Sequence, residues 1–287
     1  MPNAAHTESF RGRMVDIGGR RLRMICEGPV GVGPTVVFEA GAFGTSADWG
    51  SVQDKVSTRM RTCAYDRAGL GLSDPGADPR DSEAIVSDLR KGLAAAGEKP
   101  PYILAAHSMG PTHAYLHIGR YPQDIVGLVI VDGTSPHAPI DPRMEEFLKR
   151  FKQVTALAPL ASRLGLMALV KNGKAGDPIG LSGLADREKR NAFASPRHNY
   201  WAAREVALWP RDMELVRALP DASPELPVAV VLAGAGASPF RSQPATRSKH
   251  GHVESVAGAT HASVLGPRFN DAIVRAIDHI RADAQQR

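Results

Sequence analysis

The sequence predicts an α/β fold in which a parallel sheet is covered by helices on both faces. Nearly unbroken apolar runs such as Ile125–Val131 are typical of strands that are buried on both sides. These runs alternate with amphipathic segments, of which residues 81–96, followed by Gly97 as a C-cap, show the clearest helical spacing. The apolar run Tyr102–Ala106 passes through a short turn directly into a helical segment, as a strand of a parallel sheet does when it meets its crossover helix.

The other elements follow in a regular order along the chain. Two strands at the start form a hairpin around the Gly18-Gly19 turn, and the later strands alternate with helical segments. Strands are predicted at residues 13–17, 20–27, 35–40, 62–65, 102–106, 125–131, 227–233 and 253–256. Helices are predicted at residues 49–60, 81–96 and 267–282, and directly after residue 108.

The alternation of strands and helices breaks between residues 135 and 225. This segment is charged, helical in pattern and interrupted by prolines such as Pro159 and Pro196, and it contains no convincing strand. Strand patterns return after it. We therefore expect one α/β domain made of residues 1–134 and 226–287, with a helical insertion at residues 135–225.

Composition places the chain among ordinary globular proteins. Its 287 residues are enough for one large domain with an insertion, and 43% hydrophobic with 23% charged residues is a common balance. The formal net charge of +5 is not gathered into a run of basic residues. Arg20, Arg21 and Arg23 alternate with apolar residues, as on a solvated strand face, so we expect no nucleic-acid partner.

The cysteines and the N-terminal residues bear on the compartment. Cys26 and Cys63 lie in separate predicted strands without metal-ligand spacing, so we expect buried free thiols and no metal. The N-terminal residues 1–13 lack the apolar core of a signal peptide, and no apolar run approaches the ~18 residues of a membrane span. These features favour a cytoplasmic protein without a membrane partner.

The motif with the strongest functional implication is Ala106-His107-Ser108-Met109-Gly110. A serine between small residues at a strand-to-helix turn is the sequence form of a nucleophile elbow, which presents a hydroxyl at the top of a parallel sheet. Ser108 is therefore the predicted nucleophile. Alanine stands where glycine is usual at position 106, but it adds only one methyl group and we expect the turn to tolerate it. The His107 side chain is expected to point away, into the flank of the sheet.

A general base should reach Ser108 from a loop at the carboxyl ends of the strands. Among the ten histidines, His261 meets this requirement because it follows the last predicted strand in a loop of small residues. His113 and His117 share one helix face, but Ala114 occupies the place of the glutamate in a zinc-binding H-E-x-x-H motif. We expect those two histidines to be packing or surface residues and His261 to be the base.

A carboxylate should orient the base, and the segment that usually supplies it has none in this sequence. The loop at residues 234–251, a common place for the acid, contains no aspartate or glutamate. Asp132, which ends the strand Ile125–Val131, is the remaining candidate. The chain order Ser108, Asp132, His261 is the order that a nucleophile elbow of this type requires.

Two backbone N–H groups should stabilise the developing oxyanion. The N–H of Met109, directly after the nucleophile, is one candidate. The second should come from the loop that follows the strand at residues 35–40, where Ala42 is preferred and Phe43 is the alternative.

These ordered motifs resemble those of the α/β-hydrolase superfamily, in particular its cap-bearing, esterase-like branch. They are Tyr65-Asp66-Arg67-x-Gly69-x-Gly71-x-Ser73-Asp74, His107-Ser108-Met109-Gly110, Val131-Asp132 and Gly258-x-x-His261. The resemblance covers about residues 15–133 and 227–282. It implies an α/β-hydrolase fold with a mostly parallel eight-stranded sheet, a helical lid inserted after strand six, and no cofactor. It gives the turn at residues 66–74 a structural role and no chemistry.

The resemblance also implies a reaction. The expected function is a serine esterase that cleaves a small-molecule carboxylic ester with a short-to-medium acyl group through an acyl-enzyme. Haloalkane dehalogenases and epoxide hydrolases of this fold need aspartate at the elbow, so Ser108 disfavours both. Lactone, carbon–carbon bond or amide hydrolysis and perhydrolysis remain alternatives with the same triad. A non-catalytic ligand receptor on the same fold is a further alternative.

Specificity is expected to lie in the helical insertion. Phe43, Met167 and Trp201 are the predicted substrate contacts. Most apolar side chains of the insertion are expected to form a lid core, and a few to line an acyl pocket. These side chains are Met144, Phe147, Phe151, Leu157, Leu160, Leu164, Met167, Leu169, Phe193, Trp201, Val206 and Trp209. The sequence leaves the identity of the ester, the oligomeric state and the pathway open.

Overall fold

One sheet of eight strands organises the molecule in this computed structural model, which describes residues 10–133, 135–137, 142–235 and 239–285. The strands are β1 (Arg13–Asp16), β2 (Arg21–Glu27), β3 (Thr35–Glu39), β4 (Thr62–Tyr65), β5 (Tyr102–His107), β6 (Ile125–Val131), β7 (Val228–Ala233) and β8 (Gly251–Val256). Their order across the sheet is β1-β2-β4-β3-β5-β6-β7-β8. The β1–β2 and β2–β4 pairs are antiparallel and the other pairs are parallel, so the predicted, mostly parallel sheet is confirmed.

Helices connect the parallel strands and fill the long segment between β6 and β7. They are α1 (Gly50–Val56), α2 (Ser82–Ala96), α3 (Gly110–Arg120), α4 (Pro142–Thr155), α5 (Ala158–Arg163), α6 (Leu166–Val170), α7 (Gly183–Ala194), α8 (Pro196–Arg217), α9 (Pro239–Arg247) and α10 (Asp271–Gln285). Helices α4 to α8 fall within the predicted insertion. The division of the chain into core and insertion, and the role of the insertion as a lid, stay predictions.

The core lies on both faces of the sheet because successive side chains of a strand point to opposite faces. On one face, Leu104 of β5 belongs to a buried cluster with Leu89 of α2 and Leu116 of α3. On the other face, the adjacent Ile103 belongs to a second buried cluster with Ile277 of α10. Every residue of β5 is buried, which explains the unbroken apolar run that predicted it.

A disulfide joins β2 to β4, and the prediction of free thiols is wrong. Cys26 and Cys63 are direct partners in the antiparallel register of the two strands, and their sulfur atoms are bonded. The sequence could not show this because the pairing depends on which strands become neighbours in the sheet. Persistent disulfides are rare in reducing compartments, so this bond removes one argument for a cytoplasmic location.

The insertion buries less of its apolar surface than predicted. Val206 and Trp209 are buried, but five of the twelve side chains expected to form or line its core are exposed: Phe147, Leu157, Leu160, Leu164 and Leu169. An amphipathic pattern shows that a helix has an apolar face, but it does not show that another element covers that face. Among the described residues, no helix is both long and apolar enough to cross a membrane.

Candidate active site

The turn between β5 and α3 holds Ser108 in an unusual backbone conformation. Its φ angle is +59°, in the left-handed region that L-residues rarely adopt. Close packing explains why small residues surround it. A Cβ atom on Gly110 would lie 2.7 Å from the carbonyl oxygen of Glu39, and one on Gly41 would lie 2.7 Å from the Cβ of Ser108. The structure therefore has the strained strand-to-helix turn that the sequence motif predicts.

Three side chains that are distant in sequence converge at this turn. His261 Nε2 lies 2.9 Å from Ser108 Oγ, although 153 residues separate the two in the chain. His261 Nδ1 lies 2.6 Å from Asp132 Oδ2. With its proton on Nδ1, the imidazole donates to the carboxylate and presents Nε2 as an acceptor to the hydroxyl. This is the geometry of a nucleophile, a base and an orienting acid.

Asp132 is held as a carboxylate by groups on three sides. It follows β6 with φ of +44°, and its Oδ1 accepts a 2.7 Å hydrogen bond from the N–H of Ala233. Arg241 of α9 forms an ion pair with the same oxygen. Burial of Asp132 opposes its ionisation, but the bonds from His261 and Ala233 together with the Arg241 charge outweigh burial and lower the Asp132 pKa to about 2.

Sequence analysis did not find Arg241. It lies in the segment at residues 234–251, which contains no acid and was therefore given no function. In the structure this segment supplies a cation to the carboxylate that follows the neighbouring strand, and no pattern in its sequence indicates that contact. Residues 236–238 of that segment lie outside the described residues.

His107 contacts His261 and does not point away into the flank of the sheet as predicted. Its Nε2 lies 2.9 Å from the backbone carbonyl oxygen of His261, and the two ring centroids are 4.7 Å apart. A carbonyl oxygen only accepts, so Nε2 must carry the proton. Burial lowers the His107 pKa to about 3, assisted by the neighbouring His261, so the ring is neutral at neutral pH. His107 therefore fixes the backbone of His261 without adding charge.

The loop after β3 approaches Ser108 through a tight turn. The N–H of Gly44 donates to the carbonyl of Gly41 over 3.1 Å, and Phe43 between them has φ of +56°. Within the part of the chain that the structure describes, the N–H groups of Ala42 and Met109 donate to no backbone or side-chain acceptor. Both donors remain available beside the Ser108 turn.

A buried arginine holds this loop from behind. Arg67 donates to the carbonyls of Ala40 and Gly41 over 2.7 and 2.8 Å, and it pairs with Glu39 of β3 and Glu205 of α8. Burial raises the pKa of Glu39 to about 7 against the opposing effect of the Arg67 charge. The motif at residues 66–74 thus links the loop to the helical insertion, in line with its expected structural role.

Apolar side chains from the insertion pack against Met109, next to the nucleophile. Leu148 of α4 and three side chains of α8 form a buried cluster with it, and Phe43 packs against this cluster. The side chains of α8 are Val206, Trp209 and Met213. Trp209 is further anchored by its indole N–H, which donates to Thr112 of α3 over 3.0 Å.

Two of the three predicted substrate contacts lie apart from this cluster. Phe43 belongs to its edge, but Trp201 packs over Gly69, where a Cβ atom would come within 2.2 Å of the indole. Met167 lies on α6, outside the cluster. Sequence reasoning missed Leu148 and Met213. The helical spacing of Met213 with Trp209 and Val206 on one face of α8 could have revealed it.

Comparison with known proteins identifies the family. A model of the alpha/beta hydrolase family matches residues 36–276, and the chain belongs to this family. The uncharacterized protein YbdG of Bacillus subtilis is 32% identical over 125 residues, which are 42% of this chain and 38% of that protein. The 2-(acetamidomethylene)succinate hydrolase of Mesorhizobium japonicum is 29% identical over 128 residues, or 45% of each protein. The chain thus spans less than half the length of these curated relatives.

Solved structures agree on the fold. The crystal structure of the putative ancestral haloalkane dehalogenase AncHLD2 superposes with a TM-score of 0.73 and 19% sequence identity, and the match covers 96% of this chain and all of the dehalogenase. At this identity the likeness concerns the fold alone.

Proposed function

We propose that this member of the alpha/beta hydrolase family is a serine hydrolase that cleaves carboxylic esters through an acyl-enzyme. The observation that carries the proposal is the continuous pair of contacts from Ser108 Oγ to His261 Nε2 and from His261 Nδ1 to Asp132. Together they supply a nucleophile, a base that can take its proton, and a carboxylate that stabilises the imidazolium formed in the reaction.

In this proposal His261 removes the proton of Ser108 as the hydroxyl attacks the ester carbonyl. The N–H groups of Met109 and Ala42 stabilise the tetrahedral oxyanion. His261 then protonates the leaving alkoxide, and water activated by the same histidine releases the acid from the serine. Asp132 stays ionised throughout, which its pKa of about 2 favours at neutral pH.

The nucleophile separates this proposal from the chemistry named for the structural neighbour. Displacement of a halide from carbon by an enzyme carboxylate needs an aspartate or glutamate at the elbow, and this chain has Ser108 there. Among the relatives, the Mesorhizobium japonicum hydrolase acts on an acetamido compound. Amide hydrolysis is therefore the second candidate, with the same three residues.

The apolar cluster beside Met109 favours substrates with an apolar acyl group. Leu148, Trp209 and Phe43 lie at or next to this cluster, and apolar walls with few polar groups are typical of small-molecule sites. We expect short-to-medium acyl chains to be preferred, with Phe43 at the acyl group. Trp201 and Met167 lie apart from this cluster, and we assign them no contact with the acyl group.

Replacement of the nucleophile tests the mechanism. Ser108→Ala should lower kcat for a p-nitrophenyl ester by about 10⁴-fold or more, because only the oxyanion donors and substrate binding remain. Ser57→Ala, which removes a hydroxyl at the end of α1, is the matched control and should keep full activity. Persistent ester hydrolysis by the Ser108→Ala protein would contradict the mechanism.

Two further measurements separate the alternatives. A fluorophosphonate should label the wild-type protein once, at Ser108, and an unlabelled protein would favour a non-catalytic receptor. A panel of p-nitrophenyl esters of graded chain length, run beside lactones and amides at equal concentration, should show the highest kcat/KM for esters. A clear preference for an amide would support the second candidate.

A further inference from the structure

Apolar side chains that face solvent are concentrated on one part of the insertion. Of the thirteen large hydrophobic residues that are exposed in the described chain, eight lie between Phe147 and Val170. Leu169 is 81% exposed and Leu157 is 63% exposed. We call the exposed side chains of residues 142–174, on α4, α5, α6 and their connections, the α4–α6 surface. An apolar surface of this density on a folded protein marks a site of interaction.

Positive charge is concentrated on the same surface. Residues 142–174 contain seven lysines or arginines and two glutamates, so their formal excess of five positive charges equals the net charge of +5 of the whole chain. Six of these cations are exposed: Arg143, Lys149, Arg150, Lys152, Arg163 and Lys174. Among the described residues, only Arg150 has a carboxylate partner, the exposed Glu146 one turn away. The surface therefore presents unpaired cations around exposed leucines.

We propose that the α4–α6 surface adsorbs to the surface of an anionic phospholipid bilayer. Short helices that expose leucine and phenylalanine between lysines and arginines can place the apolar side chains at the acyl boundary while the cations meet the lipid phosphates. Self-association through the same surface would place five excess positive charges of one copy against five of the other, and these would repel. Charge complementarity therefore favours an anionic lipid over a second copy.

Adsorption would bring the candidate active site to the lipid. Helix α4 carries exposed Phe147 and, one residue later, Leu148, which is buried against the cluster that contains Met109. The same helix thus contacts both the bilayer and the neighbourhood of Ser108. Adsorption itself does not depend on the proposed ester hydrolysis, and it is measured without any substrate.

Sedimentation with vesicles tests the proposal. The full chain should pellet with phosphatidylcholine vesicles that contain 30% phosphatidylglycerol, and at least about tenfold less with pure phosphatidylcholine vesicles, because each cation near the surface adds to the binding. Binding should also fall when the salt concentration rises from about 0.05 to 0.5 M. Equal binding to both vesicle types, or no binding to either, would overturn the proposal.

Matched variants locate the contact. Leu164→Ser with Leu169→Ser, and separately Lys152→Glu with Lys174→Glu, should each lower the partition coefficient by about tenfold or more. Two control pairs make the same kinds of change at exposed positions elsewhere and should stay within about twofold of the wild type. They are Val30→Ser with Val32→Ser, which replaces exposed apolar side chains by serine, and Lys91→Glu with Lys99→Glu.

Analytical ultracentrifugation of the same proteins completes the test. We expect the wild type to show no self-association through this surface. A wild-type dimer that the Leu164→Ser and Leu169→Ser pair dissociates would show that a second copy covers the surface, and would overturn the proposal. The sequence alone led us to expect no membrane partner. Binding to the anionic vesicles would contradict that expectation, and absence of binding would support it.

Discussion

The position of the His261 ring depends on contacts at both its side chain and its backbone. Asp132 holds the Nδ1 edge of the ring, while His107 holds the backbone carbonyl of the same residue. His261 lies in a loop and its side chain is 55% exposed, so neighbouring packing does little to fix it. Hydrogen bonds must therefore supply the order that a buried residue obtains from packing.

Replacement of His107 should separate its hydrogen bond from its volume. We expect His107→Leu to lower kcat/KM for esters by about 10- to 100-fold, because the loop that carries His261 loses its anchor beside the nucleophile. His107→Gln should recover much of this loss, since its amide can donate to the same carbonyl. Steady-state kinetics with a p-nitrophenyl ester provide the measurement. Equal losses in both variants would indicate a purely structural role.

Residue identities in the site were predictable where chemistry and chain order both constrain them. Ser108 follows from the strained turn, and His261 and Asp132 follow from their places after strands in one parallel sheet. The contacts of His107 and Arg241 were not predictable, because they depend on how two loops fold over the carboxyl edge. No local pattern encodes that geometry.

Helix α3 contains a buried histidine, His117, whose ring has no hydrogen-bond partner among the described residues. The ring packs against Tyr121. Burial, assisted by the charge of Arg90, lowers the pKa of His117 to about 4 from the ordinary value of 6.5. The unfolded chain therefore binds a proton below pH 6.5 that the folded chain binds only below about 4. Stability from this residue is lost as the pH falls through that window.

His117→Leu should consequently make the protein less sensitive to acid. The free energy of unfolding of the variant minus that of the wild type should be about 2 kcal/mol larger at pH 5 than at pH 7.5, because leucine has no proton to bind in the unfolded chain. Urea denaturation at the two pH values measures this difference. A difference that is independent of pH would mean that His117 has the same pKa in the folded and the unfolded chain, and would contradict the prediction.

Between β2 and β4, the disulfide restrains the unfolded chain. It closes a loop with a sequence separation of 37, for which the loss of loop entropy corresponds to about 3–4 kcal/mol of stability. Replacement of both Cys26 and Cys63 by alanine should lower the free energy of unfolding by this amount. A thiol titration of the denatured, unreduced wild type provides the control. Two reactive thiols per chain would show that the bond does not form.

The elements of the sheet were predicted more closely than the elements outside it. Strands β4 and β6 have the predicted bounds and β5 extends one residue further, to His107, because burial on both faces imposes continuous apolar runs. Helix α9 was missed because Pro244 lies inside it and its sequence is polar. The apolar stripes of α5 and α6 were recognised, but their exposure was not. A stripe of apolar residues does not show whether another element packs against it.

At the scale of the whole molecule, one buried ion-pair network connects the core to the insertion. Arg67 and Glu205 are both almost fully buried and lie 2.9 Å apart, although 138 residues separate them. The same guanidinium holds the loop that carries Ala42. Arg67 therefore contacts both the insertion and the loop of the proposed oxyanion site.

Removal of one charge from this network should destabilise the whole protein. Glu205→Gln leaves part of the buried Arg67 charge uncompensated, for which we expect a loss of about 3 kcal/mol in the free energy of unfolding. Glu214→Gln, an exposed substitution on the same helix, is the matched control and should change stability by less than about 0.5 kcal/mol. Urea denaturation at pH 8 measures both. A loss no larger than the control would show that Glu205 is dispensable.

Contact between Pro111 and Gly133 has a consequence for how this sequence can vary. A Cβ atom on Gly133 would lie only 2.5 Å from Cγ of Pro111, so the proline at the start of α3 excludes any side chain directly after Asp132. The two positions are thus epistatic. A mutation of Gly133 should therefore cost less once position 111 carries glycine, because only the 3.0 Å approach to Cγ2 of Ile130 is then left to relieve. The order of the two substitutions is thus decisive in any evolutionary path between them.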